Sequence, residues 1–409
     1  MKSSCADNTS IDIAIIGGGA SGLAAAYAAV CAGARVAVFE KEKMPARKLL
    51  ASGNGRCNLT NEKLSPSGYP GGTALAASLI NRFDVSYIKK FFEDLGVLLI
   101  TEPDGRVFPR TGRAASVAGA LEHAAREKGA VMYAGARVTS VSRGSLFSIS
   151  AEGQPTVKAK RLILACGSPA YPQLGATADG YTLARSLGHA ITPVYPTLVP
   201  LCVKEKGLKR LSGLRADAEL VPSCGGAARG ELLFTDYGLS GPCAINASRA
   251  LSRGAGETDC RINFFPEYDA GAFPAFLAAR AAVFPDRRIK DFFIGLLPET
   301  LANLTLDFAG LPPKKTAGEL TPSELTRISG LLTRWPVTVT GNRGWNEAMA
   351  ASGGVNISEI DAATMASKKT NGLFITGELL DVDGITGGYN LHFAWASALS
   401  AGRAAAEGL

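Results

Sequence analysis

Residues 11–22 read IDIAIIGGGASG, an apolar run of strand length followed by a cluster of glycines. The alanine-rich residues 20–33 have the length and composition of a helix, and residues 35–40 have the composition of a second strand. Strand, glycine turn, helix and strand in this order form a βαβ unit that is complete by residue 40. The segment therefore predicts an α/β fold.

The glycines of this turn have the spacing GxGxxG at Gly17, Gly19 and Gly22. In such a turn the first glycine permits the bend, the second lets the backbone approach a pyrophosphate, and the third lets helix and strand pack closely. Glu40 follows Gly22 by 18 residues, where a carboxylate accepts hydrogen bonds from a ribose hydroxyl and repels the 2′-phosphate of NADP. The pattern predicts dinucleotide binding, and the alternative is a purely structural glycine-rich turn.

The composition is that of a folded globular protein of two or three domains. The chain has 409 residues, of which 46% are hydrophobic and 19% are charged. Its longest uncharged apolar stretch, residues 23–34, has 12 residues, well short of the ~20 that cross a bilayer. The first ten residues are polar, which is atypical of a secretion signal. We therefore expect no membrane span and a cytoplasmic location.

The cysteine and histidine content argues against a metal site. The eight cysteines, Cys5 among them, include no CxxC pair, and there are three histidines. We expect reduced thiols and no bound metal.

The net charge is +7, and residues 41–56 alone carry five basic residues and one acidic residue. Because this cluster adjoins the glycine turn, an anionic cofactor is sufficient to explain it.

Both chain ends are expected to build the nucleotide-binding domain. Residues 137–141 alternate like a strand, and residues 161–167 form a buried-strand run that ends in glycine. Near the C-terminus, residues 371–378 have another strand pattern and residues 391–406 have the composition of an alanine-rich helix. These strands are expected to join the sheet that the βαβ unit begins.

The middle of the chain is expected to be an insertion with two parts. Short apolar runs such as residues 197–203 and 231–235, separated by glycine and proline, predict a small β domain. Residues 272–282 and 289–307 suit helices and predict a helical subdomain. The predicted domains are the nucleotide-binding domain at 1–191 and 346–409, the β domain at 192–269 and 333–345, and the helical subdomain at 270–332.

Longer motifs resemble a known family, and the resemblance spans nearly the whole chain. They are GGGASG at 17–22, RKLLASGNGRCN at 47–58, GRVFP at 105–109, LSGP at 239–242 and GELLDVDGITGGYNL at 377–391. The sequence is similar to the BaiN/RdsA-like NAD(P)/FAD-dependent oxidoreductases, also called YhiN-type flavoproteins. The combination of motifs is specific for the family and does not specify one substrate.

The resemblance implies that the nucleotide is FAD, held by a Rossmann-like domain with an inserted β-barrel-like domain and a helical subdomain that form a cleft over the isoalloxazine ring. Lys48 and Arg56 would face phosphate, and residues 52–55 would let the backbone touch the flavin. Residues 384–390 would place backbone N–H groups near the N1/O2 edge of reduced flavin. The expected cofactor-binding residues are Gly17, Gly19, Ala20, Ser21, Gly22, Glu40, Lys41, Lys48, Ser52, Gly53, Asn54, Gly55, Arg56, Cys57, Asn58, Val138, Cys166, Gly167, Gly377, Glu378, Asp383, Gly387, Gly388, Tyr389, Asn390 and Leu391.

Four residues are candidate catalytic groups. Cys57 lies in the flavin-proximal motif and could attack a substrate or the flavin, although it has no partner thiol nearby in sequence. His392 follows the last motif and could act as an acid near the flavin. Arg106 and Arg110 flank VFP at 107–109 and could hold substrate or cofactor. The alternative for each residue is a structural role, either packed in the core or at the surface.

The leading functional hypothesis is an FAD-dependent reductase that moves hydride from flavin N5 to a C=C bond conjugated with a carbonyl. The activities of the family suggest a 3-oxo-ene bile acid or the uracil ring of ribosomal RNA as substrate. With one GxGxxG in the chain, NAD(P)H would bind only transiently, and another electron donor is equally permitted. The alternatives are a flavin-containing RNA-binding or ribosome-associated protein and an amine oxidase-like flavoenzyme that uses oxygen. The oligomeric state is left open.

Overall fold

The structure is a computed structural model that describes residues 11–254, 256–269 and 271–409. The polar residues 1–10 with Cys5, and residue 270, where the helical subdomain is predicted to begin, lie outside the described residues. The protein forms two compact units. The first combines the chain up to Pro196 with Met349–Leu409, and the second is Thr197–Ala348.

The strands of the described chain, in order, are β1 Ile11–Ile16, β2 Val36–Glu40, β3 Thr60–Asn61, β4 Leu99–Thr101, β5 Arg106–Pro109, β6 Val131–Ala134, β7 Val138–Arg143, β8 Phe147–Ala151, β9 Val157–Leu164, β10 Tyr195–Thr197, β11 Leu201–Val203, β12 Arg215–Pro222, β13 Ala228–Phe234, β14 Gly238–Ser240, β15 Thr258–Asn263, β16 Trp335–Asn342, β17 Ala350–Ser352 and β18 Leu373–Ile375.

The α-helices of the described chain are α1 Ala20–Cys31, α2 Arg47–Ala51, α3 Thr73–Ile80, α4 Val85–Asp94, α5 Ala114–Glu127, α6 Asp179–Ser186, α7 Gly241–Leu251, α8 Ala272–Val283, α9 Ile289–Phe292, α10 Glu299–Ala309, α11 Pro322–Thr333 and α12 Tyr389–Ala406.

The main sheet of the first unit confirms the Rossmann-like prediction. Its strands lie in the order β6-β2-β1-β9-β8-β7, and β18 pairs with the second half of β9. β6, β2, β1, β9 and β18 are parallel, whereas β8 and β7 extend the sheet antiparallel. From β1 the chain turns to β2 on one side, and β9 lies on the other, so a crevice is expected at the carboxyl ends of these strands.

Helices α1 and α12 pack against each other through small residues. A side chain at Gly402 of α12 would clash with the backbone of Ala25 in α1, and Ala28 lies beside the same point. Every residue of β1 after Ile11 is buried, as is typical of a parallel strand covered on both faces. This close packing draws the C-terminal helix into the same core as the first strand.

Three predicted elements differ from the structure, each because of a local backbone break. The predicted strand at 371–378 ends at Ile375, and a 3₁₀ turn, Gly377–Leu379, follows it. The predicted helix at 289–307 is divided into α9 and α10, with Gly295 at a positive φ of 81° and Pro298 between them. The run at 197–203 is divided into β10 and β11, because Leu198 has a φ of 50°.

The second unit contains a closed antiparallel barrel, which confirms the predicted β-barrel-like insertion. Its strands follow the order β11-β14-β13-β12-β15-β16, and β16 pairs back to β11. Leu220, Phe234 and Ile262 are fully buried in the core that fills it, to which helices α8, α10 and α11 also contribute. Among the described residues, no helix is both long enough and apolar enough to cross a membrane.

Candidate functional site

The turn between β1 and α1 depends on glycine at its first and last motif positions. Gly17 has a φ of 103°, and its N–H donates to the Phe39 carbonyl at 2.8 Å. A Cβ at Gly17 would clash with the Ala165 carbonyl, and one at Gly22 would clash with the Gly17 carbonyl. These two glycines therefore let α1 start directly against β1 and β9.

Gly19 is different, because the space beside it is open. It is the N-cap residue of α1, and a Cβ there would have no atom of the protein within 4 Å. No side chain caps this helix start, and its first turn contains no acidic residue. A phosphate can therefore approach the backbone and the positive end of the helix dipole at this point.

Glu40 lies beside the turn, at the end of β2. Its Oε2 accepts a hydrogen bond from the Gly18 N–H at 2.7 Å, and its Oε1 accepts one from the Glu42 N–H at 2.9 Å. The Ala136 N–H donates to the Glu40 carbonyl at 2.8 Å, so the start of β7, with the buried Val138, lies near the same strand end. The carboxylate is thus fixed where a ribose next to the phosphate site would need an acceptor.

The carboxyl ends of β9 and β18 complete this edge of the sheet. Gly167, with a φ of 70°, has open space beside it, and Cys166 precedes it. A Cβ at Gly377 would lie 2.7 Å from Ser21 Oγ, at the start of α1. Burial raises the pKa of the Cys166 thiol to about 12. The thiol is therefore protonated at neutral pH.

The predicted cations of this region have partners within the protein. Lys48 Nζ lies 2.6 Å from Glu378 Oε2, and the other oxygen of Glu378 accepts the Ala351 N–H at 2.9 Å. Lys41 Nζ donates to Thr177 Oγ1 at 3.1 Å. Lys48 is therefore held against the segment that follows β18.

The loop of residues 52–58, which we call the flavin loop after its predicted role, has an unusual backbone. Gly53, Asn54, Gly55 and Cys57 all have positive φ between 55° and 81°. The Cys57 side chain is fully buried, and burial raises its pKa to about 12. A buried, protonated thiol is a poor nucleophile, so the structure favours a packing role for Cys57.

The residues that follow the flavin loop meet the N-terminus of α12. Gly388, the N-cap of α12, has a φ of 103°, and a Cβ there would lie 2.6 Å from the Thr60 carbonyl and 3.0 Å from Asn58 Oδ1. Asn61 Nδ2 donates to the Gly387 carbonyl at 2.8 Å. The structure thus brings together motifs that lie more than 300 residues apart.

The turn before α12 is fastened by side chains of the last motif. Asn390 Nδ2 donates to the Gly384 carbonyl, and its Oδ1 accepts the Gly384 N–H, both at 2.9 Å. The Tyr389 hydroxyl donates to the Lys63 carbonyl at 2.9 Å, and Asp383 is buried. Leu391 is half-buried in the first turn of α12. No side chain caps α12 and its first turn contains no acidic residue, which leaves a favourable end for an anion.

His392 occupies a different position from the one expected for an acid. It is fully buried, and its Nε2–H donates to the Phe83 carbonyl at 2.8 Å, since a carbonyl can only accept. In the neutral ring Nδ1 then accepts the Thr60 hydroxyl, also at 2.8 Å. Burial lowers the pKa of His392 to about 4. Both ring nitrogens of His392 are thus engaged within the protein, which argues against the suggested acid role.

Sequence reasoning missed several residues of this region. Thr60 contacts His392 of α12, and Asn61 contacts the turn before this helix. The Trp395 indole N–H donates to the Leu59 carbonyl at 3.1 Å, and the Tyr69 hydroxyl donates to the Tyr389 carbonyl at 2.8 Å. Residues 59–61 directly continue the RKLLASGNGRCN motif, which was a signal available in the sequence. Tyr69 had no comparable signal.

The residues present fit FAD. The open backbone at Gly19 and Gly167 and the two uncapped helix ends suit a pyrophosphate and an electron-rich ring, and the Glu40 carboxylate suits a ribose. Among the described residues, no group of three or more His, Cys, Asp or Glu is placed to hold a metal ion.

Comparison with known proteins identifies relatives along the whole chain. A model of the HI0933-like protein Rossmann domain matches residues 11–404. The chain is 37% identical over 406 residues to a 3-dehydro-bile acid delta(4,6)-reductase of Clostridium scindens, covering 97% of this chain and 99% of the relative. It is 30% identical over 393 residues to a ribosomal RNA dihydrouridine synthase of Escherichia coli, covering 95% of this chain and 96% of the relative.

Solved structures support the fold. A 3-ketosteroid Δ4-(5α)-dehydrogenase from Rhodococcus jostii matches with a TM-score of 0.50 and 16% identity, covering 99% of this chain and 98% of the other. A 3-ketosteroid Δ1-dehydrogenase from Sterolibacterium denitrificans matches with a TM-score of 0.53 and 12% identity, covering 97% of this chain and 99% of the other. At these identities the match establishes a shared architecture.

The first testable prediction is that Gly19→Val abolishes FAD binding and leaves the protein folded. The valine side chain would occupy the open space that the pyrophosphate needs, and the φ of −79° at Gly19 is accessible to valine. Flavin absorbance of the purified variant measures the loss. Gly119→Val, at an exposed position of α5 that also has open space, is the matched control and should keep its flavin.

The second prediction concerns Glu40. Glu40→Ala should weaken FAD binding about 10- to 150-fold, because a hydrogen bond to a charged group contributes about 1.5 to 3 kcal/mol. Titration of the apoprotein with FAD measures the affinity. The control is Glu42→Ala, two residues after Glu40, which removes a carboxylate that pairs with Arg47. It should have little effect on FAD affinity. Unchanged affinity in Glu40→Ala would show that another group holds the ribose.

The third prediction is that His392 makes stability depend on pH. Its pKa is about 4 in the folded protein and ordinarily 6.5, so the unfolded chain takes up a proton first and stability falls as pH drops below 6.5. Between pH 7 and pH 5, protonation of His392 in the unfolded chain lowers the free energy of unfolding by about 2 kcal/mol. Urea unfolding at pH 7 and pH 5 measures this loss of stability. The loss should be smaller by about 2 kcal/mol in His392→Gln than in the parent protein.

The other two histidines of the chain also bear on this measurement, His189 as a common background and His123 as the control. His189 is also buried, with a lowered pKa, and adds a loss of stability in the same direction in every variant. His123 lies exposed on α5 beside Glu127, so His123→Gln should keep the full drop of the parent protein. An equal drop in His392→Gln and the parent would contradict the neutral state assigned to His392.

Proposed function

The chain belongs to the HI0933-like protein Rossmann domain family and is an FAD-dependent oxidoreductase, and from this premise we propose that it reduces a C=C bond conjugated to a carbonyl. The 37% identity to a bile acid delta(4,6)-reductase across 97% of the chain carries this proposal. We propose a 3-oxo-ene small molecule as the first substrate class, because that relative is more similar to the chain than the dihydrouridine synthase is.

The residues of this chain would bind and orient the reactants. The turn at Gly17–Gly22 and Glu40 would hold the adenosine and pyrophosphate end, and the flavin loop with the N-terminus of α12 would hold the ring end. When bound, FAD would supply the hydride that adds to the alkene carbon. The uncapped α12 would favour negative charge at that end.

We propose that the proton that completes the reduction comes from a donor other than His392 or Cys57. The imidazole is neutral with its single N–H committed to Phe83, and the thiol is buried and protonated. We propose that water or a group of the substrate region supplies it. We also propose NAD(P)H as a transient reductant, since one dinucleotide fingerprint is present and FAD would fill it. The cytoplasmic location stays a prediction.

Ribosomal RNA is the second candidate substrate. The 30% identity to a ribosomal RNA dihydrouridine synthase over 95% of the chain favours it. Uracil also presents an alkene conjugated to a carbonyl, so the same hydride chemistry would serve both substrates and specificity would lie in the binding surfaces.

The fourth prediction is that the reduced protein is reoxidised by an activated alkene under anaerobic conditions. Stopped-flow flavin absorbance should first show reduction by NADH or NADPH. Mixing with a 3-oxo-4-ene steroid should then restore the oxidised spectrum, with formation of the saturated ketone. The corresponding saturated 3-oxo steroid is the control and should leave the flavin reduced.

Other outcomes separate the alternatives. Reoxidation by uracil-containing ribosomal RNA and not by the steroid would move the assignment to the second candidate. Flavin reduction by an amine, with peroxide formed in air, would replace the reductase by an oxidase. A flavin that neither acceptor reoxidises would refute the proposed reaction.

A further inference from the structure

The flavin loop is fastened to the segment that contains β5 and the start of α5. The Leu59 N–H donates to the Val107 carbonyl at 2.8 Å, directly after the loop. The Ala114 N–H donates to the Gly55 carbonyl at 2.7 Å, within the loop itself. The backbone at residues 107 and 114 therefore lies beside the flavin loop, and Arg113 directly precedes the second of these contacts.

Four arginines of this region form what we call the arginine rim: Arg56, Arg106, Arg110 and Arg113. Two of them lie on one ring, since the guanidinium carbons of Arg56 and Arg106 are 4.0 Å and 5.6 Å from the centre of the Phe108 ring. Glu102 accepts a hydrogen bond from each, at 2.7 Å from Arg56 and 2.9 Å from Arg106. The Phe108 ring and the Glu102 carboxylate together fix the guanidinium groups of Arg56 and Arg106.

The arginine rim carries more positive charge than its carboxylates neutralise. Its ion-pair partners are Glu102 and Asp104, which lies 2.6 Å from Arg106. Arg110 and Arg113 are exposed, and within the described chain neither forms an ion pair with a carboxylate. Four guanidinium groups against two carboxylates leave an excess of two positive charges on the arginine rim.

We propose that the arginine rim binds an anionic substituent of the substrate, a carboxylate or a phosphate, and so determines which alkenes are accepted. The inference rests on the proposed function, because it takes the flavin loop to lie at the reacting ring. A guanidinium presents a planar fork of N–H donors that matches the two oxygens of either anion. Arg110 and Arg113 supply the unpaired forks and the excess charge, because Glu102 and Asp104 balance the two arginines that lie on Phe108.

The experiment compares each anionic probe with a neutral probe of nearly the same shape. The first pair is a 3-oxo-4-ene steroid acid and its methyl ester, and the second is uridine 5′-monophosphate and uridine. For the flavin protein we measure affinity by equilibrium dialysis in the oxidised state and the rate of reoxidation after reduction with dithionite. The variants are Arg110→Gln/Arg113→Gln, Arg110→Lys/Arg113→Lys and, as the control, Arg185→Gln at an exposed position of α6.

The expected result is that the parent protein prefers the anionic member of one pair, and that the glutamine variant loses about 10-fold of this preference. That loss corresponds to the usual contribution of two exposed charge contacts. The lysine variant should recover part of it, added salt should reduce it, and Arg185→Gln should keep it. A response to the steroid pair identifies a carboxylate, and a response to the uridine pair identifies a phosphate.

Two results would overturn the inference: a parent protein with no preference in either pair, or a glutamine variant with the full preference of the parent. The dialysis measurement separates this inference from the proposed reaction. An anion preference in binding without any reoxidation would sustain the arginine rim and refute the reductase. Reoxidation without an anion preference would support the reductase and refute the role of the arginine rim.

Discussion

The structure depends on the close approach of α1 to the first strand of the sheet. Gly17 and Gly22 have no room for a side chain, since a Cβ at either would clash with a backbone carbonyl. Because the helix can start there, its N-terminus opens at the crevice between the ends of β2 and β9, next to the Glu40 carboxylate. The backbone geometry thus creates the electrostatic feature on which nucleotide binding depends.

The C-terminal helix extends the same principle to the other end of the site. Gly402 and Ala25 let α12 lie directly on α1, while Gly388 lets the start of α12 meet the Thr60 carbonyl. The neutral His392 fixes this second contact through Thr60 and Phe83. Two uncapped helix ends are therefore held in one unit with the flavin loop, which is the arrangement that a long dinucleotide with a redox ring requires.

Local patterns predicted the local structure well, and long-range contacts were beyond them. The apolar run that opens residues 11–22 forms strand β1 as predicted, because this run and its glycines lie side by side in sequence. The division of the predicted helix at 289–307 depends on Gly295 and Pro298, which were visible but outweighed by composition. The pairing of Lys48 with Glu378, 330 residues apart, and the engagement of His392 follow from tertiary packing, which no spacing in the sequence encodes.

The central claim is that the carboxyl edge of this sheet, with the ends of α1 and α12, holds one FAD without a covalent bond. The most direct measurement is to denature the purified protein, separate the supernatant chromatographically and quantify the released flavin per chain. The account predicts one FAD per chain, in the supernatant and after reconstitution of the stripped protein with excess FAD. A folded protein that releases no flavin and takes up none on reconstitution, or one that holds FMN instead, would contradict it.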